Sequence, residues 1–118
     1  MVYIVGAGPG AADLITVRGR KLLENADIII YAGSLVNREL LEYRKSSCQV
    51  YDSASMTLEQ VVETVEQAEK MGHMTVRLHT GDPCIYGAIR EQMDAFEERG
   101  IPYEICPGVS SFCGAAAA

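Results

Sequence analysis

The sequence predicts an α/β fold, with an open parallel sheet of five strands and helices on both of its faces. Short apolar runs alternate along the chain with longer segments of helical period. The runs at residues 2–5 and 28–31 are apolar throughout, which is typical of parallel strands buried on both faces. Turns that contain glycine follow four of the five predicted strands, where this fold needs a break between strand and helix.

The composition is that of an ordinary folded domain. The chain has 118 residues, of which 48% are hydrophobic and 22% are charged, and this length suits one domain. Ten Lys and Arg residues against sixteen Asp and Glu residues give a net charge of −6. This balance argues against a nucleic-acid partner, because phosphates would be repelled and no basic stripe offsets the charge.

Membrane, secretion and metal signals are absent from the sequence. No window approaches the roughly 18 uninterrupted apolar residues of a membrane span, and the start lacks the basic leader of a signal peptide. Cysteines occur at Cys48, Cys84, Cys106 and Cys113, with no CxxC pair among them. We therefore predict no metal site or redox dithiol, and expect reduced cysteines in a cytoplasmic protein.

The strands are predicted at residues 2–5, 28–31, 48–51, 75–78 and 103–106. A first helix is marked by Leu14, Val17 and Leu22, between the first two strands. A short second helix is expected near residues 35–43, with Ser34 as its candidate N-cap.

The third helix has the clearest boundaries. Thr57 and Gln60 form a capping box at its start, and Gly72 provides its stop. Between them the apolar stripe expected to face the core consists of Leu58, Val61, Val62 and Val65.

The last two helices differ in how they end. Apolar residues recur every three or four positions up to the Gly100 stop, at Ile85, Ile89, Met93 and Phe96, the last two of them expected in the core. Residues 110–118 are predicted to form a small-residue helix, and they contain no polar cap, glycine stop or charged last turn. We therefore expect the sequence to be a fragment cut inside an element.

The glycine-containing turns predict where a ligand binds. They lie at residues 6–10, 32–34, 80–83 and 107–111. Strands of a parallel sheet all end at one edge, and open α/β sheets bind ligands at that edge. Glycine lets the backbone approach a ligand closely, and helix N-termini attract electron-rich atoms.

A dinucleotide site is the first alternative, since residues 6–11 fit the GxGxxA pattern after a strand. Two features oppose it. Pro9 removes an N–H group from the loop that would cradle a pyrophosphate. The second strand runs into Ala32 and Gly33, so no carboxylate is present to hold a ribose hydroxyl.

The motifs resemble those of the tetrapyrrole (corrin/porphyrin) methylase family over the whole chain. They are Val-Gly-Ala-Gly-Pro-Gly at residues 5–10, Leu-Ile-Thr-Val-Arg-Gly at 14–19, Gly-Asp-Pro at 81–83 and Pro-Gly-Val-Ser-Ser at 107–111. Residues 31–36 and 79–89 resemble the branch that methylates carbon 11 of precorrin-4.

The resemblance implies a two-domain enzyme of cobalamin and porphyrin biosynthesis that uses S-adenosyl-L-methionine as methyl donor. Its acceptor would be precorrin-4 or cobalt-precorrin-4, and another corrin or sirohaem methylase of the family is the nearer alternative. Residues 1–118 would be the N-terminal α/β domain, with the C-terminal domain absent from the chain. The isolated fragment is then expected to be inactive, and the full-length enzyme to be a homodimer.

The resemblance also assigns binding residues. Those implied at the cofactor are Pro9, Thr80, Gly81, Asp82, Ile85, Ser110 and Ser111. Those assigned to the substrate trough are Gly8, Gly10, Tyr31, His79 and Tyr86, although core packing of both tyrosines and a structural role for His79 are alternatives.

No catalytic acid or base is predicted. Uroporphyrinogen methylases of the family place an aspartate, a proposed proton acceptor, where this chain has Ala32. Because the acceptor carries many carboxylates, Arg18, Arg77 and Arg90 are candidates to pair with them, though we expect each at the surface.

Overall fold

A computed structural model describes residues 1–6, 15–31, 38–79 and 90–106. They form the predicted five-stranded sheet, with all strand pairs parallel and the order β3-β2-β4-β1-β5. The strands are β1 (Val2–Gly6), β2 (Ile28–Tyr31), β3 (Gln49–Asp52), β4 (Thr75–His79) and β5 (Tyr103–Cys106). β2 and β5 have the predicted bounds, and β3 lies one residue later than predicted.

Three α-helices and two 3-10 segments are described. The helices are α1 (Val17–Asn25), α2 (Leu58–Lys70) and α3 (Arg90–Glu98), and the 3-10 segments are Arg38–Tyr43 and Ser53–Ser55. The predicted short second helix is thus a 3-10 helix where it is described. Its candidate cap at Ser34, the start of the fourth predicted helix and the segment 110–118 lie outside the described residues.

The two faces of the sheet have separate cores, because successive strand residues point to opposite sides. On one face Val2 and Ile4 of β1 pack with Val65 of α2 and Phe96 of α3. We call this the α2 face. The opposite face, called the α1 face, is covered by α1 and the first 3-10 helix, and Leu23 is among its fully buried residues. Helices on both faces confirm the predicted fold class.

The capping box at the start of α2 is present as predicted. The Thr57 N–H donates to Gln60 Oε1 at 2.9 Å, and the Gln60 N–H donates to Thr57 Oγ1 at 3.2 Å. The helix ends before Gly72, whose φ of 73° lies in the left-handed region that favours glycine. The prediction for Leu58 was wrong: it is 41% exposed, because it borders an open cavity that Arg77 and Gln92 also line.

Helix α1 begins with a close approach to β1. Thr16 caps the helix by accepting the Gly19 N–H at 3.0 Å. A Cβ atom on Gly19 would stand 3.1 Å from Val5 Cγ1, so the absence of a side chain lets α1 lie close against the strand. Of the apolar residues that marked this helix in the sequence, Val17 is 72% exposed and Leu22 is partly buried, while the neighbouring Leu23 is fully buried.

Asp27 joins three parts of the fold at the start of β2. Its carboxylate accepts the Met74 N–H at 2.8 Å, just before β4, and Lys45 Nζ at 2.7 Å. The hydrogen bond from Lys45, followed by that from Met74, holds the pKa of Asp27 below its usual value. The ionised form is therefore favoured by folding.

We expect Asp27→Asn to lower the free energy of unfolding by about 1 kcal/mol at pH 7, since a half-exposed charged hydrogen bond is weakened. A lowered folded pKa stabilises the fold above the unfolded pKa of about 3.9, and this contribution is lost as pH falls through the folded pKa. The difference between wild type and variant should therefore shrink in urea titrations below about pH 4. Glu98→Gln, at an exposed position, is the control. An equal difference at pH 7 and pH 3 would refute the role of the Asp27 charge.

Candidate active site at the carboxyl edge of the sheet

The register brings four strand ends to one edge of the sheet. Gly6 at the end of β1 pairs with His79 at the end of β4. Cys106 of β5 pairs with Val5, and Tyr31 of β2 pairs with Leu78. Each of the four glycine-containing segments follows one of these strand ends in the chain. The predicted convergence of the strand ends is confirmed.

The topology also identifies which strand end borders a crevice. β4 lies between β2 and β1. The chain leaving β1 continues into α1, and the chain leaving β2 continues into the first 3-10 helix, both on the α1 face. The chain leaving β4 continues into α3 on the α2 face. Neighbouring strands whose connections depart to opposite faces leave a crevice outside their carboxyl ends, so the ligand crevice flanks the end of β4.

Two of the predicted site residues lie in described strands. Tyr31 ends β2 and is only 9% exposed, packed into the core of the α1 face. Core packing is therefore the role the structure gives its side chain, and contact with a macrocycle stays a prediction. His79 ends β4 beside Gly6, where its backbone borders the crevice.

The other predicted site residues lie outside the described residues, and their assignments stay predictions. At the cofactor these are Pro9, Thr80, Gly81, Asp82, Ile85, Ser110 and Ser111, and at the trough Gly8, Gly10 and Tyr86. Their chain positions connect them to the edge just described, because every one follows β1, β4 or β5. The segments that the resemblance assigns to S-adenosylmethionine follow β1, β4 and β5, three neighbouring strands whose carboxyl ends lie at this edge, and a cofactor site fits that arrangement.

Arg77 corrects one prediction made from the sequence. We expected it at the surface, but it is 5% exposed on the α2 face of β4. Burial lowers the pKa of its guanidinium to about 10, so it stays protonated at neutral pH. Arg18 and Arg90 are exposed, as expected.

The sequence does contain a signal for this burial. Arg77 is flanked by Val76 and Leu78, which are both fully buried on the other face. A central strand of a parallel sheet is covered on both faces, so a polar residue between two core residues is buried there too. The strand order was needed to use this signal, since only it shows that β4 is central.

The described residues contain no group of three or more His, Cys, Asp or Glu side chains that would hold a metal ion. Within the same ranges, no helix has the length and apolar character needed to cross a bilayer. Neither Cys48 nor Cys106 forms a disulfide bond with another described residue.

An open parallel α/β domain with its ligand crevice at the carboxyl edge is the class of protein that fold and site define. Within that class, the chain belongs to the family of tetrapyrrole (corrin/porphyrin) methylases, which it matches over residues 1–118.

Individual relatives agree with this family. The chain is 56% identical over 116 residues to a cobalt-precorrin-4 C(11)-methyltransferase of Methanocaldococcus jannaschii, covering 98% of the chain and 45% of the relative. It is 50% identical to a precorrin-4 C(11)-methyltransferase of Pseudomonas aeruginosa, covering 98% and 46%. The chain thus spans about half the length of these relatives.

Solved structures give the same picture. A cobalt precorrin-4 methyltransferase superposes with a TM-score of 0.94 at 50% identity, over 98% of this chain and 48% of that chain. A uroporphyrin-III C-methyl transferase from Thermus thermophilus, complexed with S-adenyl homocysteine, superposes with a TM-score of 0.80 at 29% identity, over 98% and 47%.

Proposed function

We propose that the protein carrying this chain is an S-adenosylmethionine-dependent methyltransferase that acts on carbon 11 of precorrin-4 or cobalt-precorrin-4. The observation that carries the proposal is the 56% identity, over 98% of the chain, to a relative named for this reaction. A uroporphyrinogen-III C-methyltransferase of Bacillus subtilis is 41% identical. Ala32, where that activity calls for an aspartate, disfavours this second function.

The chain would supply the N-terminal domain of this enzyme, with a second domain closing the cleft above the carboxyl edge. This division is supported by the length of the relatives, of which the chain covers about half. The complete enzyme would be a cytoplasmic homodimer acting in cobalamin biosynthesis, with no nucleic-acid partner. A protein truncated at Ala118 would lack half of the cleft and would have no measurable turnover.

Methyl transfer demands orientation more than acid–base chemistry. The sulfonium of the bound cofactor supplies an already activated methyl group. Residues 80–85 and 110–111 would hold the donor through backbone and side-chain contacts, with the Asp82 carboxylate offsetting the positive charge. Pro9 would also lie by the donor, and Gly8 and Gly10 on either side of it would line the trough for the acceptor. Alignment of the two reactants is worth up to about 7–11 kcal/mol of the barrier.

Calorimetry on the natural protein that carries this chain tests the proposal. S-adenosylhomocysteine should bind at least tenfold more tightly than nicotinamide adenine dinucleotide, because Pro9 and the missing carboxylate after β2 disfavour the dinucleotide. Preference for the dinucleotide would reverse the assignment. Turnover is then followed with precorrin-4 and cobalt-precorrin-4 in parallel, using uroporphyrinogen III as the matched control acceptor.

A further inference from the structure

Arg77 is a charged residue in an apolar position. On the α2 face it stands in register with Ile4 of β1 and Ile30 of β2. Both isoleucines are fully buried, and an apolar side chain would suit the same position. A buried guanidinium is costly unless its hydrogen bonds are satisfied, so its presence calls for an explanation other than core packing.

The hydrogen bonds of Arg77 connect three elements. Its Nε donates to Gln92 Oε1 on α3 at 3.0 Å, and an Nη donates to the Ile30 carbonyl oxygen on β2 at 3.3 Å. Among the described residues, no carboxylate forms a salt bridge with Arg77. The contacts therefore join strand β4 to a neighbouring strand and to the following helix.

The position of these contacts in the chain gives them a specific consequence. Arg77 lies two residues before the end of β4, and Gln92 is the third residue of α3. The segment 80–89 runs between these two elements, so the Arg77–Gln92 hydrogen bond closes the base of that segment.

The hydrogen bond from Arg77 to the Ile30 carbonyl oxygen links β4 to the end of β2 as well. Ile30 immediately precedes Tyr31, whose carbonyl oxygen accepts the Ser53 hydroxyl at 3.0 Å. Side chains from β4 and from the turn after β3 thus hold consecutive carbonyl groups of β2. These contacts lie beside the strand ends that border the crevice.

We propose that Arg77 and Gln92 are a pair of positioning residues that holds the start of α3 against β4, and so sets where the two described elements flanking the segment 80–89 lie for cofactor binding. This inference rests on the proposed function, which places the cofactor against that segment. The pair acts through the segment and does not touch the reacting atoms. Loss of the hydrogen bond between the two residues should therefore raise the Kd for S-adenosylhomocysteine, whereas a purely structural role would lower only the urea midpoint of unfolding.

Gln92→Leu tests the pair in the natural protein, because it removes the acceptor and retains the size of a half-buried side chain. We expect the Kd for S-adenosylhomocysteine to rise about tenfold in calorimetry, as for the loss of one charged hydrogen bond. Gln92→Glu keeps an acceptor at the same place and should retain a Kd within about twofold of wild type. Glu98→Gln, on the exposed side of α3, is the matched control for a change in helix charge.

The outcomes separate this inference from the function on which it rests. If wild-type protein fails to bind S-adenosylhomocysteine, the proposed function is itself wrong. If wild type binds and Gln92→Leu lowers only the urea midpoint, the pair is merely structural and the inference fails. Equal weakening by Gln92→Leu and Gln92→Glu also overturns it. If Gln92→Leu does not fold, Arg77→Lys is the second test, because one ammonium group cannot reach both Gln92 Oε1 and the Ile30 carbonyl oxygen. An unchanged Kd for S-adenosylhomocysteine in Arg77→Lys would overturn the inference.

Discussion

Replacement of Phe96 by alanine is expected to lower the free energy of unfolding by about 3–5 kcal/mol. Phe96 is fully buried in the core of the α2 face, and its ring lies 6.0 Å from that of Tyr103. It is the only fully buried side chain described on α3, so the cavity left by its removal would also loosen the packing of the helix against the sheet. Urea denaturation followed by circular dichroism measures the change.

Glu98→Ala provides the matched control for Phe96→Ala, because it removes an exposed side chain from the same helix. Its effect should stay within about 0.5 kcal/mol. A loss below about 1.5 kcal/mol for Phe96→Ala would mean that α3 is anchored by contacts other than this ring, and would contradict the packing described for the α2 face.

Asp82→Asn is expected to weaken binding of S-adenosylmethionine about 10–100-fold, the cost of losing one charged contact in a cleft. In the chain the residue follows the end of β4 by three positions, and that strand end borders the crevice. S-adenosylhomocysteine lacks the sulfonium charge, so its affinity should fall by less than about threefold. Calorimetry with both ligands on the same protein measures the difference directly.

The neutral ligand is the internal control for Asp82→Asn, and Asp94→Asn on exposed α3 controls for net charge. Equal losses for the two ligands would show that Asp82 shapes the pocket without offsetting the sulfonium. Unchanged affinity for both would remove Asp82 from the cofactor site altogether.

The strands were predictable because periodicity and glycine turns mark them locally. Ile28–Tyr31 is apolar at every position, and the structure buries all four residues. The capping box of Thr57 and Gln60 likewise depends on residues three apart, and was predicted correctly. Convergence of the strand ends followed from the expectation of a parallel sheet.

The errors concern features that depend on tertiary structure. Arg77 was placed at the surface because the sequence does not state that β4 lies in the middle of the sheet. Leu58 was expected to face the core, but it is 41% exposed in the first turn of α2, beside an open cavity. Helical periodicity identifies an apolar stripe and does not show which of its members other elements of the fold will cover.

The most direct test of the central claim is photolabelling of the natural protein by ultraviolet irradiation with methyl-labelled S-adenosylmethionine, followed by peptide mapping. A cofactor site at the carboxyl edge predicts label within residues 7–14, 80–89 or 107–111, and competition by S-adenosylhomocysteine. The turns before β4 and β5, at residues 71–74 and 99–102, lie at the opposite edge of the sheet. If the label were found only in those turns, and S-adenosylhomocysteine prevented it, a cofactor site at the carboxyl edge would be contradicted.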